Sequence, residues 1–83
     1  MVGVPSERTR QTICTRVAQL LKEERLRQGI SMSELARQAG LSQQMVSYVE
    51  RGMRMPTLDT LLRISGVLKT PLWKVLKAGE ESH

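Results

Sequence analysis

Residues 32–51, MSELARQAGLSQQMVSYVER, decide the fold. Leu35, Ala36 and Ala39 recur at helical spacing, and so do Val46 and Val49, with Leu41 just ahead of the second set. Gly40 lies between the two sets, where a left-handed backbone can end one helix and turn the chain into the next. The small Ala36 and Ala39 let two short helices pack closely. With Leu35, Leu41, Val46 and Val49 turned inward, Gln43, Gln44, Ser47, Tyr48 and Arg51 fall on the opposite side of the second helix. Met45 belongs either to that side or to its margin.

The same punctuation continues in both directions. Gly29, Gly40, Gly52 and Gly79 each follow a helical-looking stretch, as C-terminal glycines do. Ser31, Ser42, Thr57 and Thr70 each precede one, as N-caps do. Ser31 and Glu34 have capping-box spacing, with Glu34 expected to reach back. Pro71 suits a first helical position. The spacing predicts five helices, over about 9–28, 32–39, 43–51, 58–68 and 71–78. The first carries Ile13, Val17, Leu20, Leu21 and Leu26, the fourth buries Leu58, Leu61, Leu62 and Leu68, and the fifth presents Leu72, Val75 and Leu76. No segment alternates with a period of two between hairpin residues, so the expected fold class is all-α. The domain is expected to span 9–79 between flexible tails at 1–8 and 80–83.

Composition narrows the chemistry. Eighty-three residues make one domain. Tyr48 and Trp73 are the whole aromatic content, so the core has to be built from Leu, Val, Ile, Ala and Met. Thirteen Lys and Arg against eight Asp and Glu give a net charge of +5, which suits a polyanionic partner. The single cysteine, Cys14, rules out an internal disulfide and reads as a small apolar side chain on a helix. With His83 as the only histidine, materials for a hydrolase triad or a histidine metal site are lacking, and neither enzyme activity nor a metal or cofactor is expected. No apolar run has the length of a membrane span and the first residues lack a signal-peptide core, so the expected location is the cytoplasm.

The segment 17–76 resembles the phage repressor and Cro family of helix-turn-helix proteins, the xenobiotic-response-element family of bacteria. The resemblance rests on Leu35, Ala36, Gly40, Leu41, Val46, Val49, Glu50 and Gly52, all in register. It implies a compact five-helix bundle in which helices 2 and 3 form the helix-turn-helix, and a sequence-specific regulator of transcription that binds double-stranded DNA. It further implies a homodimer on a short inverted repeat, with helix 3 in the major groove.

Carried over by position, Gln43, Gln44, Ser47 and Tyr48 become base-reading residues. A Gln side chain can pair bidentately with N6 and N7 of adenine. Arg51 and Arg54 become phosphate contacts, which fix register without reading sequence. Ser33, Arg37 and Ser42 join them at the starts of helices 2 and 3, where free N–H groups and the helix dipole favour an anion. Two positions depart from the family. Met32 stands where Gln is common, so the contact there passes to Ser33, Arg37 or the backbone. Lys69 stands where Gly is common. The family also implies a salt bridge between Arg25 and Glu50. Leu72, Trp73 and Leu76 on helix 5 are the expected dimer contact, with Trp73 also able to cover the core. The alternative reading is a protein-binding module, such as an antitoxin that also binds its own promoter.

Overall fold

The computed structural model describes residues 3–81. Met1, Val2, Ser82 and His83, which belong to the two expected tails, lie outside the described residues. Five helices follow in order: α1 (Glu7–Arg27), α2 (Met32–Ala39), α3 (Gln43–Glu50), α4 (Leu58–Val67) and α5 (Leu72–Glu81). No strand occurs among the described residues. None of their helices is long and apolar enough to cross a membrane.

Ser6, Ser31, Ser42 and Thr57 each adopt an extended backbone, and each accepts a bond from the N–H three residues on, which starts α1 to α4. The Ser6 cap begins α1 at Glu7, two residues ahead of the expected start. The first four helices stop by a shared device. Residue 29, 40, 52 or 69 turns left-handed, and the next N–H reaches back five residues: Ile30 to Arg25 O, Leu41 to Ala36 O, Met53 to Tyr48 O and Thr70 to Ser65 O. Glycine fills three of these positions, whereas Lys69 holds φ +56° with a side chain attached.

Three expected signals resolve differently. Glu34 accepts no bond from Ser31 N; its carboxylate turns to Arg37 and Gln38, so the capping box is half formed. The Thr70 hydroxyl donates to Leu68 O at 3.3 Å and caps nothing. Gly79 ends no helix. It is buried within α5 where that helix crosses α1, and a Cβ there would lie 2.7 Å from Val17 Cγ2 and 3.6 Å from Ile13 O. Its missing side chain sets how closely the first and last helices approach.

The core gathers Val17, Ala18 and Leu21 of α1, Leu35 and Ala36 of α2, Val46 and Val49 of α3, Leu61, Ile64 and Leu68 around α4, and Leu72 and Val75 of α5. Two leucines expected inside are outside: Leu58 is 63% exposed and Leu62 52%. Leu62 lies about 100° round the helix from Leu61. The inward stripe of α4 is completed by Thr60, Ile64 and Ser65 instead. Leu26 is likewise exposed, one step round α1 from the buried Arg25. Cys14 is free and half-buried on α1.

Candidate nucleic-acid interface

The candidate surface is the outer side of α3 and the loop beyond it, and its position follows from what α3 buries. Val46 and Val49 are almost wholly enclosed, and Met45 also packs against the core. That settles the choice left open for Met45 in favour of the margin. Helical geometry then leaves Gln43 and Gln44 fully outward and Ser47 and Tyr48 half-exposed one turn further on. Beneath them α2 packs through Leu35, Ala36 and Ala39, all buried, so the two helices approach through small side chains.

The turn between these helices is also held from α4. Arg63 Nη1 donates to Ala39 O at 3.1 Å and Arg63 Nε to Asp59 at 2.9 Å, so α4 satisfies a carbonyl at the end of α2. Gln28 does the same at the end of α4, donating from Nε2 to Leu68 O at 2.7 Å. Neither residue stands out in the sequence. Each is an exposed polar side chain whose partner lies 24 or 40 residues away, and no local pattern marks such a pairing.

At the far end of α3, Arg25 and Glu50 meet. Arg25 Nε lies 2.6 Å from Glu50 Oε2 and Nη2 lies 2.9 Å from Oε1, a bidentate pair with side chains 8% and 6% exposed. The third guanidinium nitrogen donates to Ile30 O at 2.8 Å. One side chain of α1 therefore holds both the end of α3 and the connection into α2.

On the outer face the structure brings Gln44, Tyr48 and Arg54 together. Gln44 Nε2 donates to the Tyr48 hydroxyl at 2.5 Å, and the Arg54 guanidinium carbon stands 4.9 Å from the centre of the Tyr48 ring. Arg51 is exposed beside them, and neither Arg51 nor Arg54 has a carboxylate partner among the described residues. The two acidic side chains of residues 31–57, Glu34 and Glu50, are each held by an arginine. The surface of α3 and its following loop is thus left cationic without an opposing charge.

The residues expected at the starts of α2 and α3 are more committed. The Ser42 hydroxyl accepts from Met45 N at 3.0 Å, leaving only its proton and backbone N–H to offer. Ser33 Oγ lies 3.3 Å from Ser31 Oγ. Arg37 pairs with Glu34, and the bonds from Arg37 and Gln38 hold the Glu34 carboxyl at about 2, well below its usual 4.5. On α5, Leu72 is 8% exposed and belongs to the core, so it is not free to meet another molecule. Trp73 is 62% exposed, and Leu76 is half-buried with part of its side chain packed against the core. No group of three or more potential metal-binding side chains occurs among the described residues.

A helix-turn-helix family model (HTH_3) matches residues 21–72, more than half of the chain. The chain is 31% identical over 68 residues to the HTH-type transcriptional regulator SinR of Bacillus licheniformis, across 81% of its own length. It spans only 61% of that relative. Among solved structures it is similar to the biofilm master regulator SinR in complex with DNA, with a TM-score of 0.67 and 33% identity, over 72% of this chain and 97% of that one. It shares its fold with the clp gene regulator ClgR of Corynebacterium glutamicum, with a TM-score of 0.77 and 23% identity, over 84% and 74% of the two chains.

Proposed function

The chain belongs to the helix-turn-helix family, and from that premise we propose that it is a sequence-specific regulator of transcription that binds double-stranded DNA with α3 in the major groove. The observation that carries this reading is the division of α3 itself. Val46 and Val49 anchor one side in the core, while Gln43 and Gln44 stand exposed at its N-terminal turn. An α-helix fits the major groove, and a Gln at its leading end can address the edge of adenine. Ser47 and Tyr48 lie one turn further along the same face. Arg51 and Arg54, past the C-terminal end, supply charge for the flanking phosphates, joined from α2 and α3 by Ser33, Arg37 and Ser42.

The complex is a homodimer on a short inverted repeat, with Trp73 and Leu76 of α5 at the contact between copies. An exposed tryptophan beside a half-buried leucine supports that placement. Selection of bound duplexes from a random DNA pool, followed by mass measurement of the complex, is the test. Recovery of a symmetric site with half-sites about one helical turn apart, bound by two chains, is the expected result. Within that site Gln44→Ala is expected to relax one symmetric base position at a cost of about 1–3 kcal/mol per half-site. Arg54→Ala is expected to weaken all sequences alike and to lower the salt slope by about one unit per subunit. Loss of affinity for every sequence from Gln44→Ala, with altered base preference from Arg54→Ala, would reverse the placement of α3.

A further inference from the structure

Tyr48 occupies the middle of the outer face, and its two contacts run in opposite directions. Toward the start of α3, its hydroxyl receives the Gln44 amide at 2.5 Å, one turn back on the same helix. Toward the loop, its ring lies under Arg54 at 4.9 Å. The loop is also tied to Tyr48 through the main chain, because Met53 N donates to Tyr48 O at 3.0 Å. Tyr48 is only half-exposed, so its ring is less free to move than the exposed side chains it touches.

We propose that Tyr48 is a positioning residue, whose hydroxyl fixes the Gln44 amide for adenine and whose ring fixes Arg54 for the adjacent phosphate. The proposal rests on the reading of α3 as the helix that enters the groove. The donor inventory supports it. A Gln amide has two N–H groups and a carbonyl oxygen. With one N–H given to Tyr48, the other N–H and the oxygen remain, which is the pair that N7 and N6 of adenine require. Long flexible side chains such as Gln and Arg lose conformational freedom when they are ordered, and a contact already made in the free protein reduces what is lost on binding. Base reading and backbone contact are therefore coupled through a single side chain.

The experiment has one arm without DNA and one with it. In the free protein, Arg54 side-chain protons lie over an aromatic ring and are expected upfield in the NMR spectrum. Tyr48→Phe should keep that shift while moving the Gln44 amide signals, and Tyr48→Leu should abolish it. Unshifted Arg54 signals in the wild-type protein would overturn the proposal whatever the DNA results. The second arm uses a duplex selected from a random pool and a scrambled duplex of the same composition. Tyr48→Phe, which keeps the ring and its packing, is expected to lower discrimination between them about three- to tenfold per subunit, the size of one lost hydrogen bond. Its salt slope should be unchanged. Tyr48→Leu should in addition weaken both duplexes and lower the slope toward that of Arg54→Ala. In a Gln44→Ala background, Tyr48→Phe should have no further effect. Additive losses from those two changes would overturn the coupling while leaving the reading of α3 intact. Failure to recover any preferred duplex would overturn that reading, and the coupling with it.

Discussion

Arg25 grips Glu50 through two nitrogen–oxygen contacts of 2.6 and 2.9 Å while its remaining nitrogen holds Ile30 O. Both charges are nearly excluded from water. A pair of this kind adds little net stability, because desolvation offsets most of the attraction, but removing one partner leaves the other charge stranded. Arg25→Met is therefore expected to cost about 3–5 kcal/mol. Adding Glu50→Gln should then cost less than it does in the wild-type background. A double-mutant cycle by denaturant unfolding measures this, with an expected coupling of at least about 1 kcal/mol. Additive losses would mean that the two groups do not act as a pair.

Gly66 and Gly79 both lie within helices, and alanine should move them in opposite directions. Nothing lies within 4 Å of a Cβ added at Gly66, so Gly66→Ala is expected to gain about 0.5–1 kcal/mol from helix propensity. At Gly79 the same methyl group meets Val17 Cγ2 at 2.7 Å. Val17 is buried and β-branched, so it has little freedom to turn aside. Overpacking of about 1–3 kcal/mol should outweigh the propensity gain. Thermal unfolding of the two variants decides it, and a stabilised Gly79→Ala would show that α5 can shift along α1 without loss.

Lys69 carries a side chain at φ +56°, in the conformation that glycine supplies at three matching positions. A left-handed residue with a Cβ costs about 1–2 kcal/mol, and part of any gain from glycine is returned through the more flexible unfolded chain. Lys69→Gly is expected to raise stability by a net of about 0.5–1 kcal/mol. Lys69→Val, which is branched at Cβ, should lower it. Chemical denaturation of both variants at one pH is sufficient. Equal stabilities for Gly and Val would mean that the turn relaxes to another conformation.

Glu34 and Glu24 are both held at about 2, by Arg37 with Gln38 and by Arg27 with Gln28 respectively. Their folded values lie below the ordinary 4.5 of the free carboxyl. The stability they contribute is therefore fully present above about pH 4.5 and is lost as the pH falls toward 2. Both groups lie at the surface, where such pairs contribute little to folding. The sharper check is the carboxyl titration followed by NMR. Glu34 should titrate well below 4.5 in the wild-type protein and return toward it in Arg37→Met. An unchanged midpoint in that variant would assign the depression to something other than Arg37.

The order and type of the helices were legible in the sequence because they depend on neighbours three or four residues apart. Ser31, Ser42 and Thr57 start helices, Gly29, Gly40 and Gly52 end them, and Leu35, Ala36, Val46 and Val49 define one inward face. Each of these signals acts within a turn or two of chain. Tertiary packing decided what local spacing leaves degenerate. Leu61 and Leu62 are equally apolar, yet only the stripe shared with Ile64 and Leu68 meets α2 and α5, so Leu62 faces outward. Gly79 has the look of a helix end, but α5 runs on to Glu81 because its glycine is where α1 comes close. The same division holds on the outer face. Spacing alone sends Gln44 and Tyr48 to one side of α3, whereas the approach of Arg54 depends on how the loop folds back after Gly52. Arg63 on Ala39 O and Gln28 on Leu68 O belong wholly to the tertiary structure, since a buried carbonyl takes whichever donor the fold brings to it.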